Sequence, residues 1–147
     1  MTGVLNVAPG ACDDPVHAYA VHGIVYGEHD AEDFEGYPLL EIHLAAVNAF
    51  MAEHTSGRVL LHCFAGVNRS AALAIAVMTQ REPQRPLLSI VQECFERRPF
   101  ILSNKSFRRQ LLRHAARCRQ SHQHCDVTDA SHTPSTSVMS AAAAALW

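Results

Sequence analysis

The segment from Arg58 to Ser70, RVLLHCFAGVNRS, constrains this chain more than any other. Val59, Leu60 and Leu61 form an uninterrupted apolar run of strand length, suited to a strand buried on both faces. From Ala71 onward the chain is apolar and alanine-rich, as a buried helix is. Between the two lies a turn carrying Cys63, Gly66 and Arg69, with five residues separating the cysteine from the arginine. A strand–turn–helix step of that length curls its backbone N–H groups around a small anion, and the positive end of the helix points into the same bowl. A thiolate is favoured over a thiol there. The planar fork of Arg69 matches two oxygens of one phosphoryl group, which a lysine does less well. Gly66 permits the positive φ of so tight a ring, and Ser70 is placed to hydrogen-bond the sulfur. Phe64, Ala65, Gly66, Val67 and Asn68 make up the rest of the expected phosphate-binding loop.

A buried core cysteine is the competing reading of Cys63. The other four cysteines weigh against it. Six residues after them stand Ala18, Phe100, His124 and Ser131, and none joins an apolar strand to an apolar helix. Only Cys63 has its arginine and its context.

His62-Cys63-x-x-Gly66-x-x-Arg69-Ser70 resembles the signature of the cysteine-dependent protein phosphatases, and its flanks are most similar to the small, atypical dual-specificity phosphatases. Val4-Leu5-Asn6-Val7-Ala8 resembles that family's VLN-x-A strand. Gly57 to Leu61 resembles the strand entering the loop. Ser103-Asn104-Lys105-Ser106-Phe107 with Gln110-Leu111 resembles the family's PN-x-x-F-x-x-QL helix start, with Ser103 in place of proline. The resemblance runs from about Met1 to Leu112. It implies hydrolysis of phosphotyrosine and phosphoserine or phosphothreonine through a phosphocysteine at Cys63, without cofactor or metal. It also implies a general acid on a loop upstream. Asp30 is the choice, because it opens the D-x-x-x-F pattern of Asp30 to Phe34; Asp33 is the runner-up and Glu32 a distant third. By the same resemblance His62 orients the loop and Asn104 braces it from behind, although Asn104 alone would read as an ordinary N-cap. In the family a further strand pair and helix precede the VLN-x-A strand, so the expected sheet lacks them and keeps a bare edge. A phosphoprotein-binding module with weak turnover is therefore the alternative. An RNA 5′-phosphatase is a lesser one, because Gly66 to Arg69 shares that class's G-x-N-R pattern, which there usually continues with Thr-Gly.

Composition sets the frame. With 147 residues and 48% hydrophobic content there is material for one core. A formal charge of −2 gives no long-range reason to expect nucleic acid or an anionic membrane as partner. The loop holds no lysine, which disfavours an inositide substrate. The longest apolar run, Ala71 to Met78, is too short to span a bilayer, and the start of the chain is not a signal peptide. Five cysteines without framework spacing argue against a disulfide scaffold. The expected location is the cytoplasm, or also the nucleus, and the expected partner is a phosphoprotein substrate.

The expected fold is α/β: a short, mostly parallel central sheet flanked by helices. Val4 to Ala8 and Tyr19 to Tyr26 read as strands, and Gly27 to Gly36 as an acidic turn. Leu40, Leu44, Val47 and Met51 give Pro38 to His54 a helical period. Further helices are expected over Ser70 to Gln80, Pro86 to Arg97 and Asn104 to about Arg119. A catalytic domain of 1–119 and a disordered Ser/Thr/His/Ala-rich tail of 120–147 follow. Cys118, His122, His124 and Cys125 are ligand types at a spacing that zinc sites do not use, so no metal site is expected. Cys94 reads as a core residue in preference to a disulfide partner of Cys63.

Overall fold

A computed structural model of the chain describes residues 1–11 and 14–128. Three strands, β1 (Gly3–Asn6), β2 (Val25–Glu28) and β3 (Val59–His62), form one sheet in the order β2-β1-β3. Both pairings are parallel, with Asn6 opposite Glu28 on one side and His62 on the other. The helices are α1 (Val16–Val21), α2 (Leu39–Glu53), α3 (Arg69–Arg81), α4 (Leu87–Arg97) and α5 (Lys105–Thr128). This is the expected α/β class.

One sheet face is shaped for α2. Gly3 and Gly27 leave room for the Phe50 ring, and a Cβ at Gly27 would lie 2.8 Å from Phe50 Cε2. All four residues that marked the helical period of α2, Leu40, Leu44, Val47 and Met51, are buried, with Leu39 and His43 beside them. The centre of the molecule is α3. Ala72 to Val77 are buried without a break, which explains why this helix reads as apolar all round. It packs on β3, α2, α4 and α5, with its own Leu73 and Ile75 fully buried against Ile90, Phe107 and Leu111, which are fully buried too.

Two expectations are corrected. Tyr19 to Tyr26 is not one strand: Val16–Val21 is helical and only Val25–Glu28 joins the sheet. Gly23 ends the helix with φ +65°, its N–H bonded to the carbonyl of Ala20, the usual glycine stop at a helix C-terminus. Tyr19 and Tyr26 stack across that turn at 5.9 Å, so the aromatic content that suggested a strand is spent on a helix–strand contact. The acidic turn correspondingly loses Gly27 and Glu28 to β2. At the other end, α5 runs on to Thr128 where the sequence reading placed a tail from 120. No glycine or proline stands between Phe100 and Thr133 to stop it. The rest of that tail, 129–147, lies outside the described residues.

Candidate active site

Cys63 follows β3 directly, 5% exposed, and its Sγ lies 3.2 Å from Ser70 Oγ in the first turn of α3. Burial is the largest single influence on this thiol and pushes its pKa up. Hydrogen bonds from the Ser70 hydroxyl and from the backbone N–H of Ser70 and Gly66, with the Arg69 charge, together outweigh it and hold the thiol below its ordinary value. A buried sulfur that ionises easily is a reactive one.

Gly66 takes φ +63°. Arg98 lies across it, donating from Nη2 to the Ala65 carbonyl at 2.6 Å, so a Cβ at Gly66 would meet that nitrogen at 2.9 Å. Asn68 precedes α3 without capping it. Its side chain is used elsewhere, which leaves the first N–H groups of the helix without a side-chain partner and keeps the positive end available to an anion. Arg69 donates from Nη1 to the Ala31 carbonyl at 2.9 Å. Its Nε is buried without a hydrogen-bond partner among the described residues. Such a donor calls for an explanation, and an anion oxygen supplies one.

The acid candidates fall into two different situations. Asp30 sits between two clamped neighbours: His29 N–H bonds the Asn6 carbonyl at 2.9 Å and Ala31 N–H bonds the Val7 carbonyl at 3.3 Å. The same Ala31 receives Arg69, so Asp30 is one residue from a direct contact of the arginine. Its own side chain is exposed. Asp33 is occupied. Asn68 Nδ2 donates to its Oδ2 at 3.1 Å and Asn104 Nδ2 to its Oδ1 at 3.0 Å. Glu32 is exposed.

Asn104 is buried and serves two tasks. Its Oδ1 accepts from the backbone N–H of Ser106 and Phe107, at 2.9 and 3.3 Å, as an N-cap of α5 does. Its amide reaches Asp33, and its own N–H bonds Asn68 Oδ1 at 3.0 Å. Ser103, where the family pattern has proline, donates to Asn68 Oδ1 at 3.1 Å. Val67 is held by the N–H of Leu102 at 2.7 Å. The segment carrying Asp33, the loop before α3 and the start of α5 thus meet in one polar knot.

Sequence reasoning missed a second knot, under His62. The Nε2 of His62 is buried and lies 3.4 Å from Asp14 Oδ1 without the alignment of a hydrogen bond. Asp14 Oδ2 accepts from the Tyr26 hydroxyl at 3.0 Å and from Asn6 Nδ2. Burial foremost, with the Asp14 charge adding to it, pushes the Tyr26 hydroxyl up to about 12. One carboxylate therefore gathers side chains from β1, β2 and β3. Nothing in the spacing of Asp14, which stands just before α1, hinted at this. Also missed was His43, buried on α2, which shares a 2.7 Å hydrogen bond with the Tyr37 hydroxyl. Its pKa is lowered, by burial first and the neighbouring His29 second. Cys118 lies on α5, 3.5 Å from His114 Nε2.

The model of the dual specificity phosphatase catalytic domain matches residues 3–117. The chain belongs to the dual-specificity phosphatase family. It is 32% identical over 123 residues to dual specificity protein phosphatase 26 of Bos taurus, covering 82% of this chain and 57% of that protein. It is 35% identical over 95 residues to MAP kinase phosphatase with leucine-rich repeats protein 3 of Dictyostelium discoideum, covering 63% of this chain and 11% of that protein. The chain thus spans just over half of one of these relatives and about a tenth of the other. Among solved structures, DUSP15 has the same fold, with a TM-score of 0.66 at 19% identity over 84% of this chain and 78% of that one. Among the described residues no helix is long and apolar enough to cross a membrane.

Proposed function

We propose that the chain is a protein phosphatase acting on phosphotyrosine and on phosphoserine or phosphothreonine through a phosphocysteine. The observation that carries this reading is the Cys63 sulfur, buried yet held toward its thiolate by Ser70, Gly66 and Arg69 at the head of α3. Cys63 attacks phosphorus, a P–S bond forms and the P–O bond to the substrate breaks. Arg69 and the loop N–H groups hold the three other oxygens as charge builds on them. Asp30 gives its proton to the departing oxygen, then takes one from the water that attacks the phosphocysteine. The P–S bond breaks, inorganic phosphate leaves, and Ser70 receives the sulfur as a thiolate again. His62 and Asn104 are positioning residues. The substrates are phosphoproteins of the cytoplasm or nucleus.

Purified protein is expected to hydrolyse an aryl phosphate. Cys63→Ser should abolish this, and Arg69→Ala should lower kcat/KM by about 10²–10³. Rapid-quench trapping of phosphate on Cys63 of the unaltered protein tests the intermediate itself. An aryl phosphate rate that survives both substitutions overturns the mechanism. Tight phosphopeptide binding with no single turnover would instead assign the chain to a binding role.

A further inference from the structure

Charge is sharply divided along this chain. Residues 1–57 hold nine acids and no lysine or arginine, whereas residues 97–125 hold eight of the twelve lysines and arginines and no acid. Four of those eight, Lys105, Arg109, Arg113 and Arg117, recur at every fourth position of α5 and are exposed. Each lies one turn from the next, so the row repels itself. Among the described residues none of the four has an ion-pair partner. Every fourth residue also advances about 40° round a 3.6-residue helix, and this drift carries the row toward α2.

There it enters a groove. α5 runs beside α3 away from the bowl: Asn104 bonds Asn68 at the head of α3, His114 meets Ala76, and Cys118 lies by Gln80. Between α5 and α2 are two adjoining hollows of about 380 and 580 Å3, which share Leu44 and Arg117. Leu40 and Leu44, both buried, close the floor. Gln110 ties the two helices by accepting from the Leu40 N–H at 3.1 Å. Arg113 and Arg117 stand on the α5 wall and Glu41 on the α2 wall. One acid against two arginines leaves the groove net positive. Neither β3 nor α4 contributes a lining residue.

We propose that this groove docks an acidic, extended segment of the phosphoprotein substrate, well away from the phosphorylated residue. This rests on the phosphatase reading of the bowl and names the substrate class: phosphoproteins with a remote acidic stretch. Arg113 and Arg117 stand about 6 Å apart on one helix face, close to the separation of alternate residues in an extended chain. The matching pattern is acid-x-acid. From Asn104, beside the phosphate loop, α5 covers about 14 Å to Arg113 and about 20 Å to Arg117, the reach of about four to six extended residues. Docking there raises the local concentration of the phosphoresidue at the bowl without touching the chemistry. A polynucleotide or an anionic bilayer extends past the row and meets the acids of 1–57, of which Glu41 is already the facing wall. A short acidic segment fits between them. Residues 129–147 of the chain itself carry one acid, Asp129, and supply no such pattern.

The test compares phosphotyrosine peptides that carry Glu-Ala-Glu-Ala-Glu or Gln-Ala-Gln-Ala-Gln about six residues from the phosphoresidue, on either side of it. On one side the Glu peptide is expected to give a kcat/KM about tenfold above the Gln peptide, roughly the effect of one charge-assisted hydrogen bond. The advantage should vanish in about 0.5 M salt. Arg113→Glu with Arg117→Glu should abolish it and create a preference for a Lys-Ala-Lys-Ala-Lys peptide, while the rate on a small aryl phosphate stays unchanged. Arg113→Gln with Arg117→Gln should abolish it without that reversal and guards against a misfolded first variant. Binding of the unphosphorylated Glu peptide, labelled with fluorescein, is read by anisotropy on Cys63→Ser protein. Equal rates for the Glu and Gln peptides, or a Glu preference that survives both double variants, overturns the proposal. So does single-stranded RNA or a phosphatidylserine vesicle that displaces the labelled peptide at a lower concentration of charge, which would assign the row to a polyanion. A dimer in sedimentation that the Glu double variant dissolves, together with equal peptide rates, would assign it to the acidic half of a second copy and overturn it equally. Failure of the protein to hydrolyse any aryl phosphate strikes only the phosphatase reading, because the anisotropy still measures the groove.

Discussion

Two aspartates three residues apart are held so differently that substitution should separate their roles. Asp33 accepts from Asn68 and Asn104, contacts that suit a fixed carboxylate better than one that carries a proton. Asp30 has an exposed side chain on a backbone pinned at His29 and Ala31. Asp30→Asn is therefore expected to lower kcat by about 10²–10³, most for alkyl phosphates, whose poor leaving groups depend most on the proton. Asp33→Asn should keep the leaving-group dependence of the unaltered protein and cost about 1 kcal/mol of stability through its disturbed amide contacts. Steady-state rates on aryl and alkyl phosphates, beside thermal unfolding, check both; a reversal of the two patterns would move the acid to Asp33. At this scale the sequence was informative where the chemistry is local. Cys63, Gly66, Arg69 and Ser70 lie within eight residues, and their spacing is their geometry. Contacts of Asp33 span 35 and 71 residues, and no spacing rule reaches that far. Asp14 beneath His62 was illegible for the same reason.

The elements were legible wherever burial imposes a period. Leu40, Leu44, Val47 and Met51 marked α2 because its inner face must stay apolar, and the apolar run of α3 marked a helix with no solvent face. The short α1 failed this way: a six-residue helix with no buried residue shows no period, and its one sign was the glycine at 23. The start of α5 was legible as an N-cap, while its second task was not. Asn104 both caps the helix and reaches Asp33 on the segment before α2, and two variants separate these tasks. Asn104→Ala loses both and should cost about 1–2 kcal/mol, seen as a lower urea midpoint at unchanged m, with a fall in kcat. Asn104→Asp restores an equally good cap but sets a carboxylate against Asp33. If Asn104 braces the site through Asp33, kcat in the Asp variant stays low while the acceptor bonds to Ser106 and Phe107 survive. Full recovery of kcat in that variant would leave Asn104 as a cap alone.

At the scale of the whole molecule, α2 and α5 are held to the central α3, and each brings a buried histidine into the core. His43 on α2 is 7% exposed and bonded to Tyr37, with His29 and Asp30 as its titratable neighbours. His114 on α5 is 4% exposed, and its Nε2 donates to the Ala76 carbonyl of α3 at 3.2 Å, with Arg117 nearby. Burial is the main cause that lowers both below the ordinary 6.5, against the smaller pull of Asp30 and of the Ala76 bond. Both are therefore neutral in the folded protein at pH values where the unfolded chain already takes up protons. Stability should accordingly fall as pH drops below 6.5 and level off only beneath the folded values. The slope is at most about 1.4 kcal/mol per pH unit for each histidine. Cys63 acts with the same sign at higher pH: its lowered value adds stability above the ordinary 9.0 of a thiol, and that stability is lost as pH falls through the folded value. Urea midpoints at pH 5, 6, 7 and 8 measure the acid limb. The His43→Gln, His114→Gln double variant should flatten it. If the double variant keeps the full slope below pH 6.5, other groups drive acid unfolding, and burial of these two histidines is not what joins proton uptake to the opening of the α2–α3–α5 core.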